Sequence, residues 1–473
     1  MQNKMIDYKK FFKDKKVTLM RIGLLGRGIG DAAFLAECGA QVLVVDDATQ
    51  KVMQPSVDKL KKYNHAKGRA GNIKFKFGKY DLNDFRNCDF VLKGAGAPLD
   101  SSEIAEAKKN GIPVEMDVSL FAKCAPEVMI IGITGTRGKS TVTSLIYEIL
   151  KQNEKFLNKK IYLGGNVRGL ATLPLLKKIK QGDIVVCELD SWQLQGFGDS
   201  KISPNISVFT TFLPDHMGYY KGSMKKYFAD KANIFRYQKK NDVLIVGKQA
   251  LPFIKKWTPH PSPLLKKGEG KILSKMIVPD ERLPKGWKFN LPGLHNEYNA
   301  MLAVEVARKI GIKDSIIRKA LENFKSVSGR LEFIREIKGI KIYNDTTATT
   351  PEATIVALEA LGNLPKQGFG KKQNIILIAG GSDKGLKMGN LIKEMQKYCK
   401  KVVLLSGSGT ERIKNKIQNA IVVDSIKKAV EKAQESAIKG DIILLSPAFA
   451  SFGMFNNEYD RGDQFMKIVK GLK

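Results

Sequence analysis

Short apolar runs separated by amphipathic stretches recur along the whole 473-residue chain. The clearest are "VTLMRIGLLG" (17–26), "QVLVVDD" (41–47), "DFVLKG" (89–94), "VMIIGITG" (128–135), "DIVVCELDS" (183–191), "ISVFTTF" (206–212), "VLIVG" (243–247), "KIYNDT" (341–346), "NIILIAGG" (374–381), "KVVLLSG" (401–407) and "DIILLSPA" (441–448). Several are apolar on both faces, as parallel strands covered by helices on each side must be. The stretches between them, such as "VTSLIYEIL" (142–150), carry the helical period. Repeated strand–helix alternation predicts an α/β class with doubly wound sheets.

The pattern falls into three blocks, 1–124, 125–326 and 327–473. The second begins near "CAPEV" and the third near "SVSGRLEF". A Pro-, Lys- and Gly-rich stretch, "KKWTPHPSPLLKKGEGK" (255–271), reads as a surface excursion.

Composition narrows the class. Hydrophobic residues make up 43% of the chain, enough for several cores. No uninterrupted apolar run reaches the roughly 18 residues of a membrane span. The charged start "MQNKMIDYKKFFKDKK" leaves no room for a secretory signal. Five cysteines are scattered without CxxC spacing, which fits a reducing cytoplasm and argues against zinc ribbons and disulfide frameworks. The net charge is +33, but the lysines run from end to end instead of forming one block with interleaved aromatics. Solvated faces explain that spread; a nucleic-acid partner is not expected, while anionic small substrates would be attracted.

The strongest chemical signal is "GITGTRGKST" (132–141) between a buried strand and a helix. Glycines bare backbone N–H groups and the helix adds its positive end, so the turn can cradle phosphate. Gly135, Thr136, Arg137 and Gly138 would form the turn. Lys139 would reach terminal phosphates, and Ser140 or Thr141 would hold Mg²⁺. The spacing departs from the strict Walker form, leaving Gly135-x-x-Gly138-Lys139-Ser140. An earlier turn, Gly26-x-Gly28-x-Gly30 with Asp46 and Asp47 about twenty residues on, resembles a dinucleotide fingerprint. An NAD-dependent oxidoreductase is therefore an alternative of another class, although it leaves the second cradle unexplained; a nucleic-acid-binding protein, suggested by the net charge alone, is the other. Phosphoryl transfer wants acids and metal ligands at strand ends. Glu188, Asp190, Asp215 and His216 fall there; His295 and Asn296 lie at a predicted helix start; His65 and His260 complete the four histidines.

The order of these segments resembles the Mur ligases. The matching pieces are "GITGTRGKST", "LGGNVRG", "CELDSWQL", "DHMGYY…YFADKANIF", "LPGLHNEYNAMLAVEVA", "GRLEFI", "YNDTTATTPEAT", "IAGGSDKG" and "LLSPAFASFGMFNNEYDRGDQF", spanning about residue 130 to the end. The ending points to the D-glutamate-adding branch. The resemblance implies three domains: a Rossmann-like N-terminal domain (1–124) binding UDP, a central P-loop-type ATPase domain (125–326) with a mostly parallel sheet, and a C-terminal Rossmann-like α/β domain (327–473) binding the amino acid. It implies a cytoplasmic, ATP-dependent enzyme of peptidoglycan precursor synthesis, monomeric, with two Mg²⁺ ions. The carboxylate of UDP-N-acetylmuramoyl-L-alanine would become an acyl phosphate, which the amine of D-glutamate attacks. Lys139, His216 and Lys231, the last as a carbamate, would be catalytic. Glu188 and His216 would join Ser140 and Thr141 as metal ligands. Asn296, Arg330 and Asp345 would surround the adenine nucleotide. Gly28, Asp46, Asp47, Asn166 and Gln193 would hold the UDP substrate, and Thr349, Lys384 and Ser451 the D-glutamate. Arg137, Asp190, Thr211, Thr347 and Glu458 stand where the family usually has other residues. Thr347 and Glu458 touch the amino-acid site, so an acceptor other than D-glutamate, or a poly-γ-glutamate-type reaction, is the alternative.

Overall fold

The computed structural model describes residues 5–24, 26–63, 73–257, 272–363 and 373–472. His65, His260 and most of the predicted excursion, 258–271, lie outside the described residues. The chain divides into two compact units: Met1–Glu281 with Asn299–Ile317, and Arg282–Tyr298 with Arg318–Lys473.

The first unit holds two sheets. One comprises β1 (Lys16–Met20), β2 (Gln41–Asp46), β3 (Ile73–Phe77), β4 (Phe90–Lys93) and β5 (Val114–Glu115). Its order is β3-β2-β1-β4-β5 and every pairing is parallel. The other comprises β6 (Met129–Thr134), β7 (Ile161–Gly165), β8 (Ile184–Glu188), β9 (Ile206–Phe209), β10 (Val243–Val246) and β11 (Lys275–Ile277). Its order is β11-β10-β9-β6-β8-β7, again all parallel. The second unit holds β12 (Glu332–Ile337), β13 (Ile340–Asn344), β14 (Ile375–Gly380), β15 (Cys399–Leu405), β16 (Ile421–Val423) and β17 (Ile442–Leu445) in the order β12-β13-β17-β14-β15-β16. There β12 runs antiparallel to β13, so this sheet is mixed.

The apolar runs are the central strands. Every residue of β8, β9, β10, β14 and β17 is buried, because helices cover both faces. The strands absent from the apolar-run reading are edges or near-edges. In β3, "IKFKF" exposes Lys74 and Lys76 on one side, and "EFIREI" of β12 is only half-buried. Alternating charge is what an edge strand can tolerate.

Register carries the strand ends to common levels. Ile133 of β6 pairs with Glu188 of β8, Thr134 with Phe209 of β9, and Gly165 of β7 with Glu188. In the second unit Asn344 of β13 and Ile378 of β14 both pair with Leu445 of β17. Each set places several loops side by side at carboxyl strand ends, where open α/β sheets bind ligands.

Gly165 illustrates how tight one such edge is. It has φ 79°, and a Cβ there would stand 2.1 Å from the Glu188 carbonyl oxygen. Replacement of Gly165 by alanine is expected to destabilise the first unit by about 2–4 kcal/mol through backbone strain and steric overlap. Thermal denaturation checks this, and a melting temperature within about 1 °C of wild type would contradict it.

Candidate active site

The turn after β6 is built from two left-handed glycines. Gly135 has φ 143° and Gly138, the N-cap of the helix Lys139–Lys151, has φ 88°. Side chains are excluded as well as strained there. A Cβ on Gly135 would lie 2.0 Å from Thr210 Oγ1, and one on Gly138 would lie 2.4 Å from Asn299 Oδ1. The helix that follows buries Val142, Leu145, Ile146, Ile149 and Leu150, which anchors its free N-terminus at the turn.

The loop after β9 grips this turn. The Thr136 N–H donates to the Thr211 carbonyl at 2.7 Å, and the Arg137 N–H donates to Thr211 Oγ1 at 2.9 Å. Thr136 Oγ1 donates to the Leu213 carbonyl at 3.0 Å and accepts from the Leu213 N–H at 2.9 Å. The Arg137 guanidinium pairs with Asp215 at 3.0 Å. Arg137 thus pairs with the acid beside His216, while Asp190 serves elsewhere as a helix cap.

Two lysines meet on one carbonyl. Lys139 Nζ donates to the Gly135 carbonyl at 3.0 Å and to that of Thr136 at 3.2 Å. Lys231 Nζ, from the helix Met224–Arg236, donates to the same Gly135 carbonyl at 2.9 Å. Lys231 is 1% exposed, and its amine lies 5.0 Å from the centre of the Tyr227 ring. Burial first, and the neighbouring Lys139 charge second, hold its pKa well below the ordinary lysine range. The amine beneath the cradle therefore gives up its proton more readily than an ordinary lysine.

His216 has a left-handed backbone, φ 54°, and packs on Trp192 with ring centres 4.7 Å apart. Burial lowers its pKa, so the imidazole is neutral near pH 7 and can offer a lone pair. Glu188 is buried at the end of β8, and among the described residues its carboxylate has no hydrogen-bond or ion-pair partner. The hydroxyls of Ser140 and Thr141 are likewise uncommitted among the described residues. No cluster of three or more His, Cys, Asp or Glu forms a metal cage among the described residues. These donors suit Mg²⁺, which takes one or two protein oxygens and completes its shell with water and substrate phosphate.

The predicted UDP-side residues occupy the first unit. A Cβ on Gly28 would lie 2.4 Å from the Ile22 carbonyl, so glycine lets the helix Arg27–Glu37 approach β1. Asp46 ends β2 and accepts from the Ala48 N–H, while Asp47 pairs with Arg21. Asn166 follows β7 and its N–H donates to the Glu188 carbonyl at 2.7 Å. Gln193 is fully buried and closes a capping box with Asp190 at the helix Ser191–Asp199.

Asn296, Arg330 and Asp345 belong to the second unit. Asn296 donates to the Pro292 carbonyl, which ties it to the start of its own helix. Asp345 accepts from the Leu331 N–H at 3.0 Å and from Ser446 Oγ at 2.8 Å. Burial raises its carboxyl to about 7.

The three residues predicted for the amino acid sit on the loops after β13, β14 and β17. Lys384 Nζ donates to Thr349 Oγ1 at 3.0 Å. Ser382 and Ala450 form an isolated bridge that draws the Lys384 loop to the Ser451 loop. Ala448 donates to the Ala348 carbonyl at 2.8 Å, closing the third side. Thr347, where the family carries lysine, turns its hydroxyl to the Gly329 carbonyl at 2.8 Å. Sequence reasoning did not assign roles to Thr210, Tyr227 or Asn299. Their signal is steric and appears only once the turn is folded.

Two family models match the chain: the Mur ligase middle domain over residues 133–307, and the Mur ligase glutamate ligase domain over residues 329–449. The UDP-N-acetylmuramoylalanine–D-glutamate ligase of Roseiflexus sp. (strain RS-1) is 33% identical, over 97% of this chain and 99% of its own. The chain belongs to the Mur ligase family. The ligase of the same name from Clostridium kluyveri is 31% identical over 100% of both chains. Among solved structures, the UDP-N-acetylmuramate-alanine ligase MurC of Thermotoga maritima aligns with TM-score 0.58 at 21% identity, covering 97% of this Mur ligase and 100% of that chain. MurF ligase from Thermotoga maritima in complex with ADP aligns with TM-score 0.57 at 16% identity, covering 98% and 96%. These two likenesses concern the fold. Among the described residues no helix is long and apolar enough to cross a membrane.

The protonated Asp345 gives this site a pH signature. Its folded pKa, about 7, stands above the ordinary 3.8, so the folded chain binds the extra proton between those values. Stability from this group is therefore complete below about pH 4 and is lost as pH rises towards 7. Asp345→Asn cannot titrate. Wild-type stability minus that of Asp345→Asn is expected to fall by up to a few kcal/mol between about pH 4.5 and pH 7.5 in urea denaturation. Parallel profiles for the two proteins would contradict the assignment.

Proposed function

We propose that this Mur ligase joins D-glutamate to UDP-N-acetylmuramoyl-L-alanine at the expense of ATP. One observation carries the reading beyond fold likeness: Lys139 and Lys231 both point at the Gly135 carbonyl, on a turn whose N–H groups and helix N-terminus favour an anion. Full-length relatives of the same name supply the substrates.

ATP transfers its γ-phosphoryl group to the alanyl carboxylate, giving ADP and an acyl phosphate. The amine of D-glutamate then attacks the acyl carbon. An amide C–N bond forms, the C–O bond to phosphate breaks, and the amine proton leaves to a base. Gly135, Thr136, Arg137 and Gly138 shape the cradle, and Lys139 swings from its carbonyl contacts onto the terminal phosphates. Charge spread over transferring oxygens is met by preorganised cations, an arrangement that carries much of the acceleration in such reactions. Ser140 or Thr141 would hold one Mg²⁺, with Glu188 and His216 holding a second; when bound, the ions neutralise phosphate charge.

Lys231 acts after modification. In its deprotonated form the amine adds to carbon dioxide, forming an N–C bond and losing a proton. The carbamate places a negative charge at that position, near His216. Asn296, Arg330 and Asp345 hold the nucleoside. Gly28, Asp46, Asp47, Asn166 and Gln193 serve the UDP substrate. Thr349, Lys384 and Ser451 receive the amino acid, Lys384 pairing with its carboxylate. Three domains, 1–124, 125–326 and 327–473, divide the work, and the protein acts as a cytoplasmic monomer.

Purified protein with ATP and Mg²⁺ is expected to release phosphate only when UDP-N-acetylmuramoyl-L-alanine and D-glutamate are both present. Release with L-alanine or meso-diaminopimelate in place of D-glutamate, and none with D-glutamate, would reject the acceptor. Lys231→Ala is expected to lose most activity, on the order of hundredfold or more, and to regain part of it with millimolar formate or acetate, which can replace the missing carboxylate. Loss that short carboxylates leave untouched would reject the carbamate.

A further inference from the structure

Among the described residues Arg461 is the largest fully buried side chain, at 0% exposed. It lies in the first turns of the helix Glu458–Lys470, in the second unit. A buried guanidinium ordinarily faces a carboxylate. Here its partners are a hydroxyl and two carbonyls. Nε donates to Thr346 Oγ1 at 3.2 Å, Nη2 to the Thr346 carbonyl at 2.8 Å and Nη1 to the Phe449 carbonyl at 3.4 Å. Burial lowers its pKa to about 10, which leaves it cationic at neutral pH.

Those acceptors stand on two separate loops. Thr346 follows β13, three residues before Thr349; Phe449 follows β17, two residues before Ser451. Gly462 brings the helix close enough for the contact, since a Cβ there would lie 2.5 Å from Thr346 Cγ2. The Thr346 hydroxyl also donates to the Glu458 carbonyl at 2.7 Å, locking the loop to the same helix. The flat fork of arginine can span two backbones in one plane; a lysine ammonium cannot.

We propose that Arg461 is a positioning residue of the amino-acid pocket, holding the Thr349 loop and the Ser451 loop at a fixed separation. It touches no substrate. It acts by fixing where Thr349 and Ser451 stand when the acceptor binds. This inference rests on the ligase reading above.

The test compares Arg461→Gln, Arg461→Lys and Thr346→Val with wild type. In each variant Thr349, Lys384 and Ser451 are intact. Arg461→Gln and Thr346→Val are expected to raise KM for the amino acid on the order of tenfold or more, with KM for ATP and for the UDP substrate changed by less than about twofold. Arg461→Lys keeps the charge and loses the fork, so it is expected to fall between wild type and Arg461→Gln. Amide hydrogen exchange without ligands provides a second readout: residues 345–349 and 446–452 should exchange faster in Arg461→Gln while the rest of the second unit is unchanged. Should Arg461→Gln fail to fold, Thr346→Val, which leaves the guanidinium in place, decides. An unchanged acceptor KM in Thr346→Val, or equal rises for all three substrates, overturns the positioning role while the ligase reading stands. A wild-type protein that turns over no amino acid at all overturns both.

Discussion

Everything at the centre of this molecule hangs on a turn that only glycine can make. Gly135 and Gly138 hold left-handed backbone at the end of β6, and the space beside each is filled by Thr210 and Asn299. Because the turn is pressed against the loop after β9, its N–H groups and the helix behind it keep one orientation without a ligand. Preorganisation of this kind is what lets fixed dipoles stabilise developing charge without rearranging at the moment of reaction. The same closeness brings Lys231 within reach of the Gly135 carbonyl and sets it against Lys139. Two ammonium groups cannot both stay charged there cheaply. The buried one is the readier to lose its proton, and a chemical property follows from a packing constraint.

The second unit solves a different problem. The proposed amino-acid pocket needs three loops from neighbouring strands to present Thr349, Lys384 and Ser451 together, and loops are ordinarily the least stable part of a domain. Here they are cross-linked by Asp345 with Ser446, by Ser382 with Ala450 and by Lys384 with Thr349. Asp345 keeps a near-neutral pKa because those bonds do not offset its burial. The carboxyl can therefore accept or donate near neutral pH, depending on what approaches it.

Much of the fold was legible because central parallel strands are apolar on both faces, as in "VMIIGITG" and "NIILIAGG". Edges were less so. Strand β12 alternates charged and apolar residues and pairs antiparallel to β13, which makes the third sheet mixed. The cradle was legible in Gly135, Gly138 and Lys139, since composition there follows directly from conformation. Arg137 and Asp190 were legible as unusual residues but not as partners. Each makes its own contact, Arg137 with Asp215 and Asp190 with Gln193. The role of Arg461 is not legible from the sequence, because nothing local distinguishes a buried guanidinium from a solvated one. Its role depends on Thr346 and Phe449, more than ten residues away or more than a hundred.

At three positions near the strand ends, backbone strain coincides with hydrogen bonds or ring packing. Left-handed backbone costs a non-glycine residue about 1–2 kcal/mol, and it persists only where surroundings enforce it. His216, Leu331 and Ala448 all adopt it, at φ 54°, 46° and 65°. His216 is held by Trp192 and by the Asp215 contact to its N–H; Leu331 by its N–H bond to Asp345; Ala448 by its N–H bond to the Ala348 carbonyl. His216 is itself assigned to the chemistry, and Leu331 lies one bond from Asp345. A glycine would relax the backbone at any of the three positions and would also loosen the partner it holds. The retention of side chains there is consistent with a fold that gives up some stability for rigidity at its strand ends, where reacting groups must stand still.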